Sequence, residues 1–188
     1  MKRFLSFLLI LCFLPVLCLS ESLYSPKLNM TISDFINKYN MIGVPFSSPL
    51  VGLKDAVKWT TWDKYDVAWY PADIISGTTI LFETEDHSSS RSLSCGLDRI
   101  RVFMDGTDSF LSFISVSSRC LSLFAPNFFG MQTSSYFITE IIKDFYENNC
   151  LETGNIFYRQ IEQGGNIYIK FFYVSGQYYF EICSEADL

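Results

Sequence analysis

Histidine is almost absent from this sequence, because His87 is the only one among 188 residues. A single histidine excludes a multi-histidine metal site. A Ser–His–Asp triad would have to use His87, which lies in the polar run 85–91, where a general base gains little from its surroundings. The sequence also lacks a G-x-S-x-G turn, a phosphate-binding glycine loop, an H-E-x-x-H motif and a calcium loop. We therefore expect no metal, no cofactor and no catalytic residues of these kinds.

Basic residues are also scarce, since 14 Lys and Arg face 20 Asp and Glu and leave a net charge of -6. A nucleic-acid-binding domain gains affinity by neutralising phosphates, so this balance argues against a nucleic-acid partner. Aromatic residues, in contrast, are abundant, with 3 Trp, 11 Tyr and 18 Phe. That much apolar surface to bury excludes a disordered chain.

The N-terminus has the pattern of a secretory signal peptide. Lys2 and Arg3 precede an apolar stretch over residues 4–19, and Ser20 is a small residue suited to the cleavage site. The stretch is shorter than the ~20 residues that a retained membrane anchor needs. We expect residues 1–20 to be removed and the mature protein to be secreted without membrane insertion. This leader and the segment Phe35–Asn40 resemble exported proteins of Gram-positive bacteria, a resemblance that implies a host but no activity.

Hydrophobic periodicity divides the mature chain into two units of similar layout. Residues 21–30 lack periodicity and are predicted to be a flexible lead-in. Residues 31–106 form a helix followed by strands, and residues 107–188 form a helical hairpin followed by a three-stranded meander. The pattern predicts an α+β fold with antiparallel sheet and helices on one face, or two α-then-β-meander units. In element order alone it is similar to the secreted β-lactamase inhibitor proteins, which implies a fold and no function.

Four cysteines remain after leader removal, with no C-x-x-C pair among them. An even number of cysteines in an exported chain is typical of disulfides. The cysteines are not spaced as a zinc site or a thioredoxin-like redox motif requires. We predict the pairs Cys95 with Cys120 and Cys150 with Cys183, the second linking a helix end to the last strand.

All three tryptophans fall within residues 59–69, beside two tyrosines. Strand parity predicts that one set of side chains faces the helices and the other faces solvent or a partner. On a strand, Trp59, Tyr65 and Trp69 share one parity, and Trp62 and Tyr70 take the other. These five residues are the candidate binding residues. The alternative is that a loop covers the second set and makes the whole segment core.

The sequence favours a secreted, non-enzymatic binding module with a protein or glycan partner. The alternative function is a carbohydrate-active hydrolase that uses carboxylates near the aromatic segment, such as Asp63, Asp66 or Glu83. Against that alternative, aspartates at 63 and 66 suit a hairpin turn.

Overall fold

Residues 26–42, 58–73, 78–86, 91–104, 110–124, 131–161 and 167–184 are described by a computed structural model. The helices are α1 (Ile32–Met41), α2 (Phe110–Phe124), α3 (Met131–Glu147) and α4 (Cys150–Thr153). The strands are β1 (Lys58–Trp62), β2 (Tyr65–Asp73), β3 (Thr78–Thr84), β4 (Arg99–Met104), β5 (Phe157–Ile161), β6 (Ile167–Val174) and β7 (Gln177–Ser184). The predicted signal peptide and His87 lie outside the described residues.

The predicted α+β class is confirmed, and the helices form where their sequences favour them. α1 begins at a capping box in which Thr31 Oγ1 accepts from the Asp34 amide at 3.1 Å, while the Asp34 carboxylate accepts from the Thr31 amide at 3.4 Å. Its apolar positions recur at helical spacing and are buried. In α2, helical periodicity prevails over the β-branched run that could also have formed a strand.

Seven strands form one antiparallel sheet in the order β1-β2-β3-β4-β7-β6-β5. The first four strands form a meander, and β5, β6 and β7 form another. The two meanders join through β4 and β7, where Arg101 pairs with Glu181. The two predicted strand groups therefore share a single sheet.

The helices pack on one face of this sheet, as predicted, and that face holds the main core. Its largest fully buried side chains are rings contributed by both layers, such as Phe35 and Phe113 from the helices and Phe82, Phe171 and Phe180 from the strands. A smaller apolar cluster lies on the other face. It is formed by Tyr65, Val67, Leu81 and Phe103, with Trp69 and Tyr179 packed against it. None of the described helices contributes to this second cluster.

Residues 26–30 of the predicted lead-in make backbone contacts with the rest of the protein. The Leu28 amide donates to Leu97 O at 3.0 Å, and the Leu97 amide donates to Met30 O at 2.8 Å. Leu28 is also buried in the core. These contacts hold the segment against the loop before β4, although its sequence carries no periodic pattern. A search of the described helices finds none that is both long and apolar enough to cross a membrane.

The predicted disulfides are not formed, because Cys95, Cys120, Cys150 and Cys183 are all thiols. The pair Cys150 with Cys183 is prevented by the sheet itself. Cys150 belongs to the core on the helix side, whereas Cys183 lies beside Arg99 and Tyr168 on the opposite face. Cys95 and Cys120 are both buried in the helix-side core, where the Cys95 Sγ atom is 3.9 Å from Asp86 O.

Candidate ligand-binding face

The face of the sheet opposite the helices, called the outer face below, carries the candidate site. Residues that pair across antiparallel strands point to the same side, so the register defines the rows of this face. One row contains, from β1 to β5, Lys58, Trp69, Leu81, Arg101, Glu181, Lys170 and Tyr158. The next contains Thr60, Val67, Glu83, Arg99, Cys183, Tyr168 and Gln160.

A continuous line of five aromatic rings, called the aromatic ridge below, crosses the outer face. Its members, in order, are Trp62, Trp69, Phe103, Tyr179 and Phe172. The successive ring centroids are 5.3, 5.7, 5.8 and 5.1 Å apart. The first two contacts are edge-to-face and the last two are stacked, which are the favourable geometries for aromatic pairs.

Hydrogen bonds fix two rings of the ridge, and exposure increases toward its β1 end. Trp69 Nε1 donates to Thr60 Oγ1 at 2.7 Å, and the Tyr179 hydroxyl donates to Gln177 Oε1 at 2.7 Å. Phe103 is buried at the centre, whereas Trp62 at the end is 37% exposed. The separations of successive ring centroids limit the line from Trp62 to Phe172 to at most about 22 Å. It is therefore a long, narrow and rigid apolar surface.

Beside the ridge lies a buried network of two carboxylates and three cations. Arg101 donates from Nε to Glu181 Oε2 at 2.6 Å, and its Nη1 atom is 3.0 Å from Glu83 Oε1. Arg99 makes a second bridge between the same carboxylates, at 3.2 Å to Glu83 and 3.6 Å to Glu181. Lys170 Nζ is 3.3 Å from Glu181 Oε1. The side chains of Glu83 and Glu181 are only 1% and 2% exposed, so the cations replace the solvation that burial removes.

The charge of this face differs in sign from that of the whole chain. Along its strands the cations are Lys58, Arg99, Arg101 and Lys170, and the anions are Glu83 and Glu181. Four positive and two negative charges give +2, against -6 for the chain. The sequence prediction did not identify this network, although the charges alternate with apolar residues in three predicted strands. That alternation is the signal that could have revealed it.

A second charged group surrounds Tyr65 at the corner of the outer face next to the β1–β2 turn. Lys27 Nζ and Lys64 Nζ both contact Glu85 Oε1, at 2.6 and 2.7 Å. Arg99 Nη2 donates to the Tyr65 hydroxyl at 3.0 Å, and its guanidinium lies 4.5 Å from the ring centroid. Burial would raise the pKa of Glu85, but hydrogen bonds from Lys27, Lys64 and Tyr65 outweigh it and lower the pKa to about 2.

The structure brings together only three of the five predicted binding residues. Trp62, Tyr65 and Trp69 share the outer face, so the predicted division of side chains is wrong. The prediction counted parity through the hairpin as if it were one strand. The two-residue turn 63–64 instead makes Trp62 and Tyr65 direct partners, which must point to the same side. Of the three, Tyr65 is buried beneath its cations, whereas Trp62 is accessible.

Trp59 and Tyr70 lie on the helix side of the sheet. Trp59 packs against the main core, and Tyr70 is 1% exposed with its ring 5.2 Å from that of Phe82. Burial raises the pKa of Tyr70 to about 12. Tyr70 therefore supports the fold, and Trp59, which is partly buried, lies on the side of the sheet away from the ridge.

The candidate hydrolytic carboxylates do not converge. Asp66 points to the helix side, where its Oδ1 atom accepts from Thr61 at 3.0 Å and Arg91 at 3.3 Å. Glu83 points to the outer face, and Asp63 occupies the exposed turn with a φ of 53°. The sheet thus separates Asp66 from Glu83. Over the described ranges, no group of three or more His, Cys, Asp or Glu side chains could hold a metal ion.

Comparison of the chain with protein-family models, with curated proteins and with solved structures gave no match.

Proposed function

We propose that this protein is a secreted, non-enzymatic module that binds a linear, uncharged glycan along the aromatic ridge. The observation that carries the proposal is the ridge itself, five rings in contact across the face that no described helix covers. Exposed, preorganised aromatic surface is typical of recognition sites.

The shape of the ridge supports a chain-like ligand. It is one ring wide and at most about 22 Å long, and its five members follow one another across the sheet. A protein partner would instead gain most from a compact, central cluster of anchors surrounded by a dry rim. Flat sugar rings can lie along successive aromatic side chains of such a ridge.

The charges beside the ridge support an uncharged, hydroxyl-rich ligand. The side chains of Arg101 and Lys170 are 21% and 13% exposed and offer donors within one row, while their ion pairs with the buried Glu181 balance their charge. A neutral hydroxyl can accept a hydrogen bond from these donors without breaking the pairs. A polyanion would have to compete with Glu83 and Glu181 for Arg99, Arg101 and Lys170, and the whole chain carries a net charge of -6.

The positions of the carboxylates support binding over hydrolysis. A glycosidase needs two carboxyl groups that flank one bond, with one protonated. Glu83 and Glu181 are instead each bridged by Arg99 and Arg101, and Asp66 lies on the other side of the sheet.

Native affinity electrophoresis in gels containing hydroxyethyl cellulose, glycol chitin or soluble starch tests this function. We expect at least one neutral polysaccharide to retard the protein and Trp62→Ala to abolish most of the retardation. The matched control is Tyr136→Ala, which removes a ring that is 68% exposed. Tyr136 belongs to α3, which packs on the side of the sheet opposite the ridge. Retardation by none of the three, by heparin alone, or equally in Trp62→Ala would contradict the proposal.

A further inference from the structure

We infer that the β1 edge of the sheet is a self-association surface, on which a second copy of this chain pairs antiparallel to form a twofold dimer. β1 and β5 are the edge strands of the described sheet. The described hydrogen bonds of β1 run to β2 and among the side chains of Thr60, Thr61, Asp66, Trp69 and Arg91. An exposed strand edge is a ready template for another strand. This inference does not depend on the proposed glycan.

The hairpin determines which backbone groups of β1 point outward. The turn 63–64 joins Trp62 and Tyr65, which form the hydrogen-bonded pair that closes a two-residue hairpin. Because hydrogen-bonded and non-hydrogen-bonded pairs alternate along an antiparallel ladder, residues 58, 60 and 62 direct their backbone groups toward β2. Trp59 and Thr61 therefore direct theirs to the outside.

One antiparallel register forms hydrogen bonds with all of these outward backbone groups and pairs all five residues of β1. With Thr60 opposite its own copy, Trp59 lies opposite Thr61 of the second copy, and the reverse holds by symmetry. These two pairs form the hydrogen-bonded positions, and Thr60 with Thr60 is the closer, non-hydrogen-bonded position. Threonine opposite threonine is a favourable cross-strand pair.

The same register also matches the outer-face side chains. Lys58 of each copy lies opposite Trp62 of the other, which places an ammonium group beside the exposed end of each aromatic ridge. In the described chain Lys58 Nζ already lies 5.6 Å from the Trp69 ring centroid. A register centred on Lys58 would instead place two like charges opposite each other and pair fewer residues.

The β5 edge lacks this complementarity. A full-length self-pairing of Phe157–Ile161 is centred on Arg159, so it would place two guanidinium groups directly opposite each other. Arg159 also already binds Asp144 of α3 at 2.7 Å. The β1 edge is therefore the one suited to a second copy. A five-residue strand buries less area than a stable interface needs, so we expect a weak dimer.

Two measurements on the purified full chain test this inference. Sedimentation velocity should show an average mass that rises toward twice the monomer mass with increasing concentration. Under mild oxidation, Thr60→Cys should form an intermolecular crosslink, because the paired Cα atoms lie about 4.5 Å apart, within disulfide range. Cys95, Cys120, Cys150 and Cys183 are buried and do not compete, and Cys12 and Cys18 are replaced by serine in every variant.

The controls are Lys58→Cys, whose copies would lie about 13 Å apart in this register, and Gln160→Cys on the β5 edge. Circular dichroism verifies that each variant is folded. Crosslinking of Thr60→Cys well above both controls supports the inference. A concentration-independent monomer mass overturns it, and so does crosslinking that is equal or greater in Lys58→Cys or Gln160→Cys.

Discussion

Replacing Glu181 with glutamine removes one negative charge from the buried network while nearly preserving the size of the side chain. Glu181 is 2% exposed and contacts Arg101 at 2.6 Å, Lys170 at 3.3 Å and Arg99 at 3.6 Å. After the change, three cations lose a charged carboxylate partner. Removing one partner of a buried ion pair leaves uncompensated charge and costs about 3 to 5 kcal/mol.

Such a loss is a large part of the free energy of unfolding of a domain, which is typically ~5 to 15 kcal/mol. It corresponds to a fall of about 6 to 20 °C in Tm for a chain of this size. Urea denaturation followed by tryptophan fluorescence measures it. Glu147→Gln is the matched control, because Glu147 is 63% exposed and 3.9 Å from Lys143, a pair worth less than about 0.5 kcal/mol. The loss should persist in high salt, since buried charges are weakly screened. Equal unfolding free energies for the two variants would refute the reasoning.

Three further predictions concern pH, thiol chemistry and packing. The pKa of Glu85, about 2 in the folded state against its usual 4.5, contributes stability above pH 4.5 that disappears as the pH falls toward 2. Glu85→Gln should therefore flatten the acid side of a stability–pH profile, and an unchanged slope would contradict this. Burial and the nearby Glu181 raise the pKa of Cys183 to about 12, and burial raises that of Cys120 further. Ellman's reagent should thus find almost no reactive thiol in the native protein and four after denaturation once the leader is removed, whereas two or fewer would indicate disulfides. Phe103→Ala should cost about 3 to 5 kcal/mol in urea titrations because the ring fills the centre of the ridge, while Trp62→Ala should cost less than about 1. Equal costs would show that Trp62 is part of the core.

The helices and strands could be predicted from the sequence because their signals are local. The stripe Ile32–Tyr39 directly follows its Thr31 cap, and the strand segments are bounded by turn residues. The pairing of β4 with β7 has no local signal. It depends on contacts between residues about 80 positions apart, such as Arg101 and Glu181, so the junction of the two meanders could not be foreseen.

Part of the candidate site could be predicted from the sequence. Trp62 and Trp69 were predicted to be candidates, but assigning faces required the two-residue turn to be counted correctly. Phe103, Tyr179 and Phe172 complete the ridge only after the sheet order is known, because Phe103 lies about 70 positions before the other two in the chain. The disulfide prediction failed for a similar reason, since Cys183 and Cys150 lie on opposite sides of a sheet that only the tertiary structure defines.

Nuclear magnetic resonance of the three indole N–H groups tests the central claim most directly, because the chain contains one tryptophan on the helix side and two on the ridge. The probe is a hexasaccharide of whichever neutral polysaccharide retards the protein, titrated into the labelled protein. The account predicts that the signals of Trp62 and Trp69 shift with saturation while that of Trp59 stays in place. A shift of Trp59 alone, or saturable binding with no change at Trp62 and Trp69, would contradict the assignment of the outer face as the binding surface.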